Sequence, residues 1–403
     1  MRASSIFINL IVCFIFTAIK QPSTTFAQTG ASNPHLLDAI SKLSVVAVGD
    51  LMLGSWVLPN LEQHGAAYPF KFSSPYLQSG DAAIANLEAP FTEAGEPFEK
   101  KYNFKVPPKY APGVKSAGID VVTLANNHIM DFGETGLMTT LQSLDSAGIF
   151  HCGASANLER AHEPAVVEVA GKTVAFFGYS MTFPKEFYAQ PDSSGTAYPQ
   201  PELLQAHLKK WEKLADFSVV SFHWSAEKLD TPKDYQIYFA HLAIESGADL
   251  VLGHHPHILQ GLEIYQNKLI AYSLGNFVFG SYSKNAVDSI ILKVYLSAEG
   301  LLYAQCIPIN VDNREVEFQP RIAADQRKKD IISKLQKLSL PLNQEQNIIS
   351  DNGFILGNWQ HFYDDWLLDT VISTYWYILD DRGFLNEVQL EFAEKSEQNL
   401  LIQ

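Results

Sequence analysis

The chain has 403 residues, 47% of them hydrophobic and 18% charged, with a formal net charge of −15. This length buries a large core and allows two or three domains, or one large α/β domain with an appendage. The acidic balance argues against nucleic acid or anionic lipid as a partner unless a local basic patch exists. Neither Cys152 nor Cys306 lies in a Cys-x-x-Cys arrangement, which argues against a cysteine-held metal.

Met1-Arg2 opens with a charge, an apolar run spans Ile6 to Ile19, and Thr25 and Ala27 supply small residues at the −3 and −1 cleavage positions. Residues 1–27 read as a secretory signal peptide cut before Gln28, with an uncleaved membrane anchor as the alternative. Cleavage removes Arg2 and Lys20 but no acidic residue, so the formal charge becomes −17. The expected location is exported: periplasmic, extracellular or associated with the cell envelope. A linker over 28–43 follows.

Short apolar runs then alternate with helical patterns. Ser44 to Val48, Ala82 to Leu87, Ile119 to Leu124, Phe217 to Phe222 and Asp249 to Leu252 read as buried strands. Helices are predicted over Glu134 to Ala147, Pro201 to Ala215 and Pro232 to Ser246. Hairpins are predicted for Ala165 to Val169 with Thr173 to Gly178, for Leu262 to Tyr265 with Leu269 to Ser273, and for Ser289 to Leu296 with Leu301 to Ile307. Parallel and antiparallel signals together favour two packed sheets with outer helices. From about Arg321 the texture changes. A charged helical pattern over Ile322 to Leu338 and an aromatic-rich stretch from Trp359 to Tyr377 suggest a C-terminal helical appendage, giving a domain over 44–321 and an appendage over 322–403.

Five polar stretches stand immediately beyond buried strands, where ligands sit in open α/β sheets. They are Gly49-Asp50-Leu51-Met52, Asn86-Leu87-Glu88, Asn126-Asn127-His128, His223-Trp224 and His255-Pro256-His257. Each alone reads more readily as a turn residue, a surface carboxylate or a satisfied core histidine than as a ligand. Jointly, carboxylates, an amide and several imidazoles form a donor set for one or two divalent ions: Mn, Fe or Zn.

The order and wording of these stretches resemble the CapA family of poly-γ-glutamate capsule synthesis proteins, within the calcineurin-like metallophosphoesterase superfamily. The resemblance rests on VVAVGDLMLG, IANLEAPFT, IDVVTLANNHIMDFGETGL, VVSFHWSAE and GADLVLGHHPHILQGLEIYQNKLIAYSLGNFVF, and spans about Val45 to Phe279. It implies a metallophosphoesterase-like, four-layer double β-sandwich flanked by helices. It places Asp50, Glu88, Asn127, His223, His255 and His257 as metal ligands and His128 near the leaving group. Asp131 is a candidate to orient an imidazole, its alternative being a loop carboxylate; Glu227 is a similar candidate. His254 lies outside the His-Pro-His pair and reads as a bystander or a neighbour of the ligands.

One departure stands out. The phosphoesterase pattern has histidine two residues after the first aspartate, and here Met52 occupies that place. A soft thioether suits such a site poorly, so one ion, or two held weakly, is expected. The resemblance implies an exported protein of poly-γ-glutamate capsule biosynthesis, assembly or export. The alternatives are a metal-dependent phosphoester hydrolase of the envelope and a non-catalytic polymer-binding domain. Expected partners are an anionic envelope polymer such as poly-γ-glutamate, or a phosphorylated small molecule, and the capsule synthesis or export machinery. Lys100, Lys101, Lys105, Lys109 and Lys115 form a local basic strip that either faces the pocket or lies in a solvated loop.

Overall fold

The computed structural model describes residues 43–357. The leader and linker expected over 1–43, all but its last residue, and the aromatic-rich stretch from Trp359 lie outside the described residues. Among the described residues no helix is long and apolar enough to cross a membrane.

The strands in chain order are β1 (Leu43–Met52), β2 (Ala82–Leu87), β3 (Val121–Thr123), β4 (Phe150–Cys152), β5 (Ala154–Ser155), β6 (Ala165–Val169), β7 (Lys172–Ser180), β8 (Gly195–Thr196) and β9 (Phe217–His223). They continue as β10 (Leu250–His254), β11 (Leu262–Tyr265), β12 (Lys268–Ala271), β13 (Asn276–Phe279), β14 (Asp288–Ser297), β15 (Gly300–Asn310), β16 (Arg321–Ile322) and β17 (Phe354–Leu356). The first sheet has the order β16-β15-β14-β1-β2-β3-β4, with β13 also paired to β1 and β17 to β15; the second has the order β11-β12-β10-β9-β7-β6. The strands β5 and β8 form a small ribbon. All three predicted hairpins are antiparallel pairs, namely β6–β7, β11–β12 and β14–β15.

Alternation along the strands sorts side chains into three apolar layers. Val45, Ala47, Ile84 and Val121 of the first sheet meet Val219, Leu250 and Leu252 of the second in a shared inter-sheet core. The opposite faces take the helices. Val46, Val48, Ala85 and Val122 pack with Leu137, Leu141 and Leu144 of helix α1 (Gly133–Ala147). Val220, Phe222 and Val251 pack with Leu204 and Leu208 of α2 (Pro201–Trp211) and with Phe239 and Ala243 of α3 (Asp234–Glu245). Helix, sheet, sheet and helix make the four-layer sandwich that the pattern predicts.

The segment after Arg321 begins with the expected helix, α4 (Asp325–Ser339). Its buried residues Ile331, Ile332 and Leu335 belong to the inter-sheet core, and β17 pairs with β15. Its described part is therefore built into the sandwich rather than set apart from it. Cys152 and Cys306 are buried and unpaired.

Candidate metal centre

The centre is the polar prolongation of the inter-sheet core. Ala82 and Ile84 face that core on β2, and the next residues of the same parity are Asn86 and Glu88. On β9, Phe217 and Val219 are followed by Ser221 and His223; on β10, Leu250 and Leu252 are followed by His254. On β1 the register breaks between Ala47 and Asp50, and this irregularity turns Asp50 to the same side. Asp50, Asn86, Glu88, His223 and His254 are all at most 1% exposed.

Asn86 ties the carboxylates together: its Nδ2 donates to Asp50 Oδ1 at 2.9 Å and to Glu88 Oε2 at 3.1 Å. His257 Nδ1 lies 2.9 Å from Asp50 Oδ2 and 3.0 Å from Asn276 Oδ1, while its Nε2 lies 3.7 Å from Glu88 Oε1. His223 Nε2 lies 2.9 Å from Asn127 Oδ1 and 3.7 Å from the same Glu88 oxygen. The rings of His223 and His255 are 4.7 Å apart. His255 and His257 hold φ of 94° and 60°, a region that side chains with a Cβ rarely occupy. Pro256 stands between them and fixes the loop.

A second cluster adjoins the first. His128 Nδ1 lies 2.9 Å from Asp131 Oδ2. Lys100 reaches in to the same group: its Nζ contacts Asp131 Oδ1 and lies 3.2 Å from His128 Nδ1. Asn126 braces the turn, accepting from the backbone N–H of His128 at 3.1 Å and of Ile129 at 2.9 Å and donating to Leu87 O at 2.8 Å.

The electrostatics separate the two carboxylates. Burial alone would raise Asp50, but the imidazoles of His254 and His257 hold its carboxyl well below the usual range. Burial, and then the Asp50 charge, push Glu88 well above its usual range. Burial also lowers His128 and His223, and it pushes His255, with help from His257, down to about 3. A histidine kept neutral in the fold contributes stability that is present above its unfolded pKa and lost as pH falls. Glu88, whose pKa is raised, works the other way, but three imidazoles oppose one carboxyl. Acidifying the metal-free protein from pH 7 to pH 5 is therefore expected to lower its melting temperature. His255 alone contributes about 2 kcal/mol at pH 5. Melting curves in the presence of a chelator check this, and a flat profile would contradict the buried neutral cluster.

The structure brings Asp50, Glu88, Asn127, His223, His255 and His257 into one cluster and His128 and Asp131 into a second that adjoins it. Two groups, Asp50 with Glu88 and His223, and Glu88 with His255 and His257, each hold one donor atom per residue within 4.8 Å of one another. These residues fit a divalent ion. Glu88 Oε1 and His255 Nδ1 are buried without a hydrogen-bond partner. The donors are carboxylate, amide and imidazole, the set that Mn, Fe and Zn accept. Bonds of about 2.1 Å place neighbouring donors roughly 3–3.5 Å apart, so small inward turns of these side chains suffice.

Met52 is not at the centre. It packs wholly buried into the helix-side core, with its sulfur against Gly54. Of the basic strip, Lys100 enters the site. Lys115 pairs with Asp120 at 2.7 Å, Lys105 lies over the Phe132 ring, and Lys101 and Lys109 lie over Tyr102 and Tyr110. Glu227 lines a cavity of about 630 Å³ beside His255, with Met181, Tyr198, Lys233 and Tyr235. Asn86 and Asn276 have contacts with the carboxylates or imidazoles that sequence reading did not assign. Asn86 was accessible to it, standing two residues before Glu88 on the same strand face.

The chain is similar to proteins of bacterial capsule synthesis. The family model described as bacterial capsule synthesis protein PGA_cap matches residues 44–281. The capsule biosynthesis protein CapA of Bacillus anthracis is 30% identical over 309 residues, covering 75% of each chain. The PGA biosynthesis protein CapA of Bacillus subtilis is 31% identical over 298 residues, covering 73% of this chain and 78% of that one. A probable polyglutamine synthesis accessory protein of Mycobacterium tuberculosis is 29% identical over 257 residues, covering 59% of this chain and 68% of that one.

Proposed function

The chain belongs to the bacterial capsule synthesis protein PGA_cap family, and from that premise we propose that it is an exported accessory protein of poly-γ-glutamate-type envelope polymer assembly whose working part is a divalent-metal centre. The observation that carries this reading is the convergence of Asp50, Glu88, Asn127, His223, His255 and His257 at one seam between the sheets. These six residues would hold the metal. When bound, such an ion polarises a carbonyl or phosphoryl oxygen and lowers the pKa of water.

The chain's own residues supply the rest. Asp131 occupies the Nδ1 side of His128 and favours its imidazolium against burial, so that a proton taken up by the ring can pass from Nε2 to a departing group and leave the neutral ring. Lys100 adds positive charge beside that imidazole, and Lys233 adds another at the rim of the neighbouring cavity. In an acidic chain, these cations favour an anionic chain such as a γ-linked polyglutamate. The relatives' names point to the same polymer. The partners are then that polymer and the machinery that makes or exports it.

Purified protein loaded with Mn(II) tests the reading against γ-linked polyglutamate and against simple phosphoesters. Chain shortening, or release of phosphate, is expected to fall about 100-fold or more in His128→Ala with its metal content retained. Phosphoester turnover without polymer cleavage would favour the envelope phosphoesterase. Full metal loading with polymer binding and no turnover on either substrate would make the centre a binding site.

A further inference from the structure

His254 is the one histidine of Gly253-His254-His255-Pro256-His257 whose ring faces the centre from the strand itself. It ends β10, in register with His223 at the end of β9. By the same alternation that sends Leu250 and Leu252 into the inter-sheet core, its side chain points to the seam. It is 1% exposed, and neither ring nitrogen has a hydrogen-bond partner. Its Nδ1 lies 3.3 Å from Asp50 Oδ1, without the alignment of a hydrogen bond. Burying an imidazole with neither nitrogen in an aligned hydrogen bond has a cost, offset in the protein alone only by the Asp50 charge beside it.

The spacing supplies a reason. Two donors bound to one ion by bonds of about 2.1 Å stand roughly 3–3.5 Å apart. Asp50 Oδ1 and His254 Nδ1 already stand at that separation. The other oxygen of Asp50 is occupied by His257, so His254 addresses a different edge of the carboxylate. Position 52 offers nothing to this edge, because Met52 is packed on the far side of the sheet in the helix-side core.

We propose that His254 is a ligand of the centre, supplying an imidazole to an ion held at Asp50. This rests on the metal reading of the site given above and adds to it a residue outside the His-Pro-His pair. The role assigned here is different from a bystander's, and it separates His254 from a side chain that merely fills space.

The test is binding of Mn(II) and of Zn(II), each alone, to the mature chain and to His254→Ala and His254→Gln, with His257→Ala alongside. Dissociation constants are read by calorimetry and metal content by elemental analysis. Melting temperatures are read with and without a chelator. For both His254 variants the dissociation constant at one position is expected to rise at least about tenfold. The chelated His254→Gln variant is expected to melt within a few degrees of the chelated parent, because glutamine fills much of the ring's place and keeps a donor for Asp50. The rise in melting temperature on adding metal is expected to shrink. Metal affinity equal to the parent's in His254→Gln would overturn the proposal. So would a loss of affinity accompanied by an equal fall in the chelated melting temperature, which is the signature of packing alone. A parent that binds neither metal would overturn the metal reading itself, and this proposal with it. A parent that binds while His254 variants bind equally would remove His254 only.

Discussion

Replacing Glu88 with glutamine is expected to strip the protein of nearly all its bound metal, where loss of His223 or His255 empties it only in part. Glu88 is the residue common to both donor groups, and its Oε1 lies 3.7 Å from both His223 Nε2 and His257 Nε2. Glutamine keeps the volume and one oxygen but removes the charge that would balance the ion. It is also the side chain the metal-free fold should prefer. Burial and the neighbouring Asp50 charge raise the Glu88 pKa, so the metal-free protein already favours the neutral form there. Glu88→Gln should therefore melt as high as, or higher than, the parent under chelation, and lower than the parent with metal. Loading expels a proton from Glu88 wherever that carboxyl is protonated, so affinity should rise with pH up to its raised pKa. Elemental analysis and paired melting curves decide it. A variant that keeps most of its metal would show that Glu88 is not shared.

The second large effect is on folding. A Cβ added at Gly253 would lie 1.9 Å from Tyr272 O and 2.8 Å from Trp224 Nε1. These two atoms are bonded to each other at 2.9 Å, and Trp224 is wholly buried, so neither can give way. Gly253→Ala is expected to cost more than about 4 kcal/mol, enough to leave most of the protein insoluble. The soluble fraction and the melting temperature of what is recovered check this. A variant melting within a few degrees of the parent would mean that β10 and the Tyr272 backbone are not in this close approach.

The strands and helices were legible because burial imposes a period on each. The β1, β2, β9 and β10 runs were read as apolar, and the polar residues beyond them as a site, which is where the inter-sheet faces carry Glu88 and His223. What the sequence hid was geometry without a period. One irregularity after Ala47 and a second between Asp50 and Leu51 break the alternation of β1. Asp50 turns inward and Met52 turns to the helices, so a reading that counted two residues from Asp50 to Met52 put both on one site. Lys100 sits in a stretch between β2 and β3 with no alternation to reveal its direction, and of five lysines there it alone reaches His128. The docking of α4 was hidden too. Its pattern announced a helix, but Ile331, Ile332 and Leu335 could not say which core they would join.

The left-handed backbone at His255 and His257 has a consequence for how this corner can change. Glycine would occupy either position with less strain, and many sequences would fold more comfortably with it there. The chain instead keeps two bulky residues in a conformation they resist, at a cost of roughly 1–3 kcal/mol each. A random search for sturdier versions of this protein would tend to find glycine or asparagine at these two places first. Each such gain in robustness would be a loss of imidazole, so the corner is one where selection for durability and selection for binding pull in opposite directions.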